Sequence, residues 1–509
     1  MERGKQSFWL KAGVLSALLL VAGVAHAQFL RTSYFMEGSH YRMQLNPAMT
    51  PTRGYINIPV IGALNASVGS SSLGYQDIMD VIDDDGNFYN NPEFLGRLDN
   101  TNHVNLNINT DILSAGWYRG RNFWSFNVGV RTDLGVKLTK SLFTFLNEMD
   151  EDQDRWRNSA YDISGQEVNL NAYAEVGLGY ARQINERLTV GGRVKVLLGM
   201  GNLNLKFNSV SLDASLPSDA RIQELQNMSS ISPSDVESLR REIDGYHADL
   251  MLDARLESSF KGLTLQESSD GYIDDIKFES GDLGIAGYGF GIDLGASYRL
   301  LDHLTVSAAV LDLGFISWSK GSTQVATAAS SGISLRGSDY TTGLDASDPM
   351  GSVAALRENM NRLQADAENY MNRVSGGDVL DYELLELRTE DVSESRRSRL
   401  ASTIVAGAEY GFFNDVLSVG VLSTTRFVEP KALTELTLSA NYRPKNWFNL
   451  AVSYSAIQSL GKSFGVGLKL GSLFLGTDYM FLGKNSNSIN AFIGISVPIG
   501  QKKRDCCCL

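Results

Sequence analysis

The chain has 509 residues, 43% hydrophobic and 20% charged, with a formal net charge of −13. That apolar share can fill a core and excludes a disordered chain. The acidic balance argues against nucleic-acid binding, which depends on basic surface. A helical membrane protein needs repeated apolar runs of about 20 residues, and only the N-terminus approaches one. The 49 Gly against 10 Pro, and three Cys confined to the last four residues, fit a membrane barrel in which every second strand residue is polar.

In chain order, the first feature is an export signal. Arg3, Lys5 and Lys11 precede an apolar run over 12–25, and Ala25-His26-Ala27 forms a small-residue cleavage site. The expected mature chain starts at Gln28 and is more acidic than the precursor. Residues 28–53 form a periplasmic or hatch segment, 54–500 the barrel, and 501–509 a basic tail ending in Cys506, Cys507 and Cys508.

From Val104 onward, segment after segment alternates with period 2, the mark of a strand with two unlike faces. Val190, Val194 and Val196 share one face, while Arg193 and Lys195 share the other. Trp124, Phe126 and Val128 oppose Ser125, Asn127 and Arg131 in the same way. Alternation alone fits a soluble sandwich as well as a membrane barrel, and the connections decide between them. Very short turns at 119–121, 185–186, 301–303, 414–415, 444–446 and 471–472 alternate with long excursions at 71–101, 139–166, 201–283 and 318–397. Later outer loops shrink to 429–433, 458–462 and 483–486. Tight periplasmic turns and long extracellular loops are the mark of outer-membrane barrels.

The reading is therefore all-β: an antiparallel transmembrane β-barrel of fourteen strands, with an N-terminal hatch and helical insertions in the outer loops. The strands fall at roughly 54–70, 102–118, 122–138, 167–183, 187–200, 284–300, 303–317, 399–413, 416–427, 433–443, 447–457, 463–470, 473–482 and 488–498. Stretches 202–214 and 247–258 are expected to pair as a hairpin above the membrane; if they cross it, the count is sixteen. Ser232-Pro233-Ser234-Asp235 predicts a capped helix start. Val353, Leu356, Met360, Leu363, Ala367, Tyr370 and Val374, spaced 3-4-3-4-3-4, predict a second helix opened by Pro349 and closed by Gly376-Gly377. Its apolar stripe either docks a partner or packs onto the rim and the other loop, the second being favoured.

The segment Tyr41-Arg-Met-Gln-Leu-Asn46-Pro47-Ala48 precedes the first strand, with Pro51 and Gly54-Tyr-Ile-Asn-Ile-Pro59-Val following. Val310-Leu-Asp312-Leu-Gly314-Phe-Ile-Ser-Trp318 comes later. These segments resemble an uncharacterised family of Bacteroidota outer-membrane barrels related to the FadL/TodX fatty-acid transporters and to PorV-type barrels. The resemblance covers essentially the whole mature chain. It implies a fourteen-stranded barrel with an inward-folded hatch, in which Asn46, Pro47 and Ala48 are the hatch motif, and passage of a hydrophobic small-molecule ligand. No ligand-binding motif of the fatty-acid transporters can be matched residue by residue.

The expected lumen is charged. Inward positions include Arg131, Asp133, Lys137, Glu175, Arg193, Lys195, Asp293, Arg299, Glu409, Arg426, Glu435, Lys469 and Asp478. Unpaired buried charge is costly, so these groups should pair across strands, with Glu175–Arg193 and Arg193–Asp133 as candidates. They form either a polar pathway or a salt-bridged interior supporting the hatch. Catalysis has little support: His40, His103, His247 and His303 are scattered, and no nucleophile constellation, metal spacing or cofactor motif is present. Gly287, Gly289 and Gly291 alternate on the lumenal face, leaving room for a plug, and Asp83-Asp84-Asp85-Gly86-Asn87 lacks the ligand pattern of a calcium loop. Two functions remain: a channel for small hydrophobic or amphipathic solutes in outer-membrane lipid, or a plugged barrel that scaffolds surface protein partners.

Overall fold

The computed structural model describes residues 31–36, 39–57, 64–74, 92–151, 157–267, 269, 271, 273–278, 282, 284–328, 334–374, 387–392, 394–457, 464–478 and 488–502. The export signal, Gln28, Asp83 to Asn87, Gly376-Gly377 and the three cysteines lie outside these residues.

Fourteen antiparallel strands form a closed wall. They are β1 (Arg53–Asn57 and Leu64–Ser70), β2 (Thr101–Arg119), β3 (Asn122–Thr139), β4 (Glu167–Gln183), β5 (Leu188–Ser215), β6 (Gly287–Leu301), β7 (Leu304–Trp318), β8 (Thr403–Phe412), β9 (Leu417–Arg426), β10 (Leu433–Lys445), β11 (Phe448–Ile457), β12 (Phe464–Leu470), β13 (Leu473–Thr477) and β14 (Ser488–Lys502). Each pairs with its neighbours in sequence, and β1 closes the ring against both β2 and β14. Each of the fourteen strands is thereby paired on both sides, as a lipid environment demands.

The alternating sequence puts apolar residues outward. Val194 and Val196 are half exposed, whereas Arg193 and Lys195 between and beside them are buried. Exposed aromatics mark two rims: Trp117, Tyr180, Tyr298, Tyr410 and Tyr442 near the short turns, and Tyr288, Phe290 and Phe315 near the long loops. Tyr288 and Tyr298 share the outward face of β6, ten residues apart. That is roughly 33 Å along a strand, or about 25 Å of height at the usual tilt of about 40°. The band fits the lipid-facing zone of an outer-membrane barrel.

The stretches 202–214 and 247–258 do not cross. β5 runs without interruption for 28 residues, and its outer half pairs with the strand His247–Phe260. Further short strands at Asn158–Asp162, Thr323–Ala328, Ser334–Arg336 and Leu387–Glu390 widen this outer sheet. The alternation continues above the membrane: ladder registers keep Leu203, Leu205, Phe207, Val210 and Leu212 on the face that looks outward lower down. There helices replace lipid.

Seven α-helices are described. α1 (Arg31–Tyr34) and α2 (Arg42–Leu45) lie inside the barrel; α3 (Pro92–Arg97), α4 (Lys140–Glu151), α5 (Asp219–Gln226), α6 (Pro233–Asp244) and α7 (Pro349–Val374) lie outside it. Ser232 and Asp235 complete a capping box at the start of α6, which satisfies two otherwise orphaned N–H groups. Asp348 accepts from the Gly351 N–H at 3.0 Å to start α7. The predicted α7 stripe is fully buried at Leu356, Met360, Leu363, Ala367 and Tyr370 and packs against α5, α6 and the outer sheet in the largest apolar core of the molecule. α4, in the 139–166 loop, was not expected; its Leu142 and Phe145 join the same core.

Candidate functional site: the lumen and its inner segment

The described residues of the segment 31–51, namely 31–36 and 39–51, lie inside the barrel and touch strands around the whole ring. The backbone N–H groups of Arg31 and Thr32 donate to Asp478 at 3.2 and 2.7 Å. The Arg31 guanidinium pairs with Glu435 on β10, and the Thr32 hydroxyl meets Ser453 on β11 at 2.7 Å. The Tyr34 hydroxyl bonds Ser307 on β7. Arg42 pairs with Glu409 on β8 at 3.2 Å. Gln44 donates to Asp111 on β2 at 2.9 Å, and Arg193 on β5 donates to the Met43 carbonyl at 3.0 Å. Tyr41 reaches the carbonyls of Leu64 and Ile493, at the β1–β14 seam.

Glycines on the inner wall make the seats. A Cβ at Gly407 would strike Tyr34; at Gly420, Phe35; at Gly467, Met36; at Gly465, Thr32. Gly191 and Gly295 accept Asn46 and Pro47 in the same way. The Asn46 side chain, fully buried, donates to the carbonyls of Ala296 and Ala308 at 3.1 and 3.2 Å and accepts from the Ala48 N–H at 2.9 Å. Asn-Pro-Ala is thus a docking knob pressed against bare β6 and β7 backbone. The glycines of 287–291 do face the lumen, but their space is taken by Trp318, Ile316 and Leu400 rather than by the inner segment.

Above the segment runs a belt of paired charges. Arg131 bridges Asp111 and Glu175 at 2.7 and 2.6 Å. Lys195 bridges Asp293 and Asp312 at 2.8 and 2.6 Å, with Arg193 at 3.7 Å from Asp293. Arg426 on β9 crosses to Asp133 on β3 at 2.5 Å, on the far side of the ring. The loop after β9 follows it across: the Glu429 carbonyl lies against Gly135, and Lys206 reaches the Glu429 carboxylate at 3.6 Å. Neither expected partnership of Arg193, with Glu175 or with Asp133, forms. Glu175 registers with Leu197, and Arg193 with Gly179, four residues along β4; Arg131 sits one diagonal step from Glu175 across β3 and β4.

The motif around Asp312 marks a break in the wall. Asp312 is left-handed, φ 57°, and the β6–β7 register shifts around Asp293. β7 pairs with β8 as far as Leu311↔Thr403 and resumes at Phe315↔Arg399 with the short strand Arg396–Arg399. Between these points one bond, from the Leu400 N–H to the Gly314 carbonyl at 3.1 Å, holds the two chains. Leu400 turns inward there and joins Tyr173, Leu197, Ala286, Ile316 and Trp318 in an apolar lumenal cluster directly above the charge belt.

Of the remaining expected lumenal residues, Glu409 and Asp478 hold the inner segment, Lys137 lies 3.6 Å from the Cβ position of Gly165, and Lys469 donates to the Asn446 carbonyl at 3.1 Å near the turns. Sequence reasoning did not single out Arg31, Tyr34, Arg42, Asp111 or Leu400. Asp111 was reachable, since its parity on β2 faces the lumen once the bulge beside it is known. The inner segment carries no periodicity that announces its path.

Residues 47–478 match the model of a family described as a family of unknown function (DUF5723). The chain belongs to that family. No curated protein matches it at a significant level. Among solved structures, the toluene transporter TbuX of Ralstonia pickettii is 12% identical, with 91% of this chain and 94% of that one covered and a TM-score of 0.38. The toluene transporter TodX of Pseudomonas putida is 10% identical, covering 93% and 94%, with a TM-score of 0.34. A FadL homologue of Pseudomonas aeruginosa is 10% identical, covering 94% and 97%, with a TM-score of 0.35.

Proposed function

We propose that this DUF5723 barrel is an outer-membrane channel for small hydrophobic or amphipathic solutes, with the segment 31–51 as its gate. The observation that carries the reading is the apolar lumenal cluster of Tyr173, Leu197, Ile316, Trp318 and Leu400, placed where the β7–β8 ladder is interrupted. A charge-lined interior has no structural need for such a patch, and an apolar solute entering from lipid or from the loops would leave water there. Below it lies the inner segment, held through separate small contacts instead of one continuous core. Its apolar residues fall into three groups, around Phe35, Met36 and Met43. The solute class agrees with that implied by the sequence resemblance to FadL/TodX barrels. Lumenal charges serve this reading as the frame that positions the gate.

The test is uptake of a small apolar fluorescent dye by cells carrying the protein. Uptake should exceed that of cells without it, and Leu400→Gln, which puts an amide into the cluster, should lower the gain severalfold while the barrel remains in the membrane. Equal uptake with and without the protein would overturn the proposal.

A further inference from the structure

Two arginines stand on the lipid-facing side of the wall at its upper rim. The ladder registers place them in successive outward rows. One row runs Val196, Phe290, Phe315, Arg399; the next runs Leu198, Tyr288, Ser317, Arg397. Tyr288, Phe290 and Phe315 are the exposed aromatics that mark the end of the apolar band nearest the long loops. Arg397 and Arg399 are both exposed, whereas their neighbour Arg396 faces the other way and pairs with Glu257 at 3.1 Å. The Arg397 guanidinium lies over the Phe315 ring, 5.1 Å from its centroid, which fixes its plane by cation–π attraction. Among the described residues neither Arg397 nor Arg399 has a carboxylate partner.

We infer that Arg397 and Arg399 bind the phosphate groups of a phosphorylated glycolipid in the outer leaflet. An aromatic girdle sits at headgroup level, so an outward guanidinium in the same row meets lipid phosphates rather than bulk water. Guanidinium is the side-chain group best shaped for phosphate, through paired N–H donors. Two arginines two residues apart on one strand face offer two such forks side by side, suited to a headgroup carrying more than one phosphate. The site lies beside the wall break at 312–314, so bound lipid would brace the chain just where its ladder is weakest. The inference rests on membrane placement with the long loops outermost, and not on channel activity.

Full-length protein in non-ionic detergent is offered lipid A carrying both phosphates, or the same lipid stripped of them, and bound lipid is counted by native mass spectrometry. Retention of the phosphorylated form should exceed that of the stripped form about tenfold or more, given two charge-assisted contacts. The double variant Arg397→Gln/Arg399→Gln should lose that preference while keeping the native dye uptake. Equal retention of the two lipids by the unsubstituted protein contradicts the inference without need of any variant, and so does undiminished preference in a folded double variant. Displacement of the lipid by inorganic phosphate at matched concentration would reassign the site to free anion and likewise overturn it. Because dye uptake is read separately, loss of the lipid site and loss of the channel reading are distinguishable.

Discussion

At Asp312 the backbone turns through φ 57° while the carboxylate accepts the Lys195 ammonium at 2.6 Å and the N–H donates to Asp293 at 2.8 Å. The two roles separate by substitution. Asn tolerates the left-handed conformation but Val does not, so Asp312→Asn should keep the bulge and lose only charge. Asp312→Val should lose both and unfold the barrel at clearly lower denaturant, by about 1–2 kcal/mol more than Asp312→Asn. Equal midpoints for the two variants would show that the backbone turn is unimportant. The sequence already exposed the inward charges through their parity. Their partners stayed hidden because pairing depends on register, and register here is reset by irregularities at Ala172/Tyr173 and at Ile292/Leu294, which periodicity does not announce.

Among the elements, β5 is the instructive one. Its outward face stays apolar from Val190 to Leu212 through two register shifts, which move it from even to odd positions and back, yet its lower half meets lipid and its upper half meets helices. Sequence alternation registers an apolar neighbour without saying which kind, and only the long connections on either side indicate where the membrane ends. The α7 stripe was legible for the opposite reason: a 3-4 spacing over six turns has no other compact explanation, and its burial follows. The clamp between α5 and α6 gives the outer unit an acid-sensitive point. Arg221 donates to both carboxylate oxygens of Glu242, at 2.8 and 2.7 Å, and chiefly these bonds hold its carboxyl below the ordinary glutamate range. A lowered folded-state pKa contributes stability that is full above the unfolded value, about 4.3, and is lost as pH falls through the folded value. Hydrogen exchange in α5 and α6 should therefore accelerate as pH is lowered from 5 toward about 3, after correction for intrinsic rates. Glu242→Gln should weaken that dependence, leaving the part that the Asp235 capping carboxylate contributes; an identical pH profile in the variant would rule out the clamp as its cause.

For the whole molecule, turn and loop lengths together with period-2 alternation were sufficient to count fourteen strands, because a closed barrel leaves little freedom in how consecutive hairpins assemble. What fills the barrel was far less legible. Among its described residues the inner segment has two four-residue helices, and its stability comes from contacts scattered over residues as distant in sequence as Thr32 and Asp478. The glycines that seat it read in sequence as ordinary small wall residues. If this segment is the gate, tethering it to the wall must stop transport. Thr32 and Ser453, whose hydroxyls lie 2.7 Å apart, are suited to a reversible bridge: Thr32→Cys/Ser453→Cys, with Cys506, Cys507 and Cys508 replaced by Ser, can be locked by oxidation and released by reductant. Dye uptake through the bridged protein should fall to the level of cells lacking it and return on reduction, whereas uptake that ignores the bridge would contradict the gate.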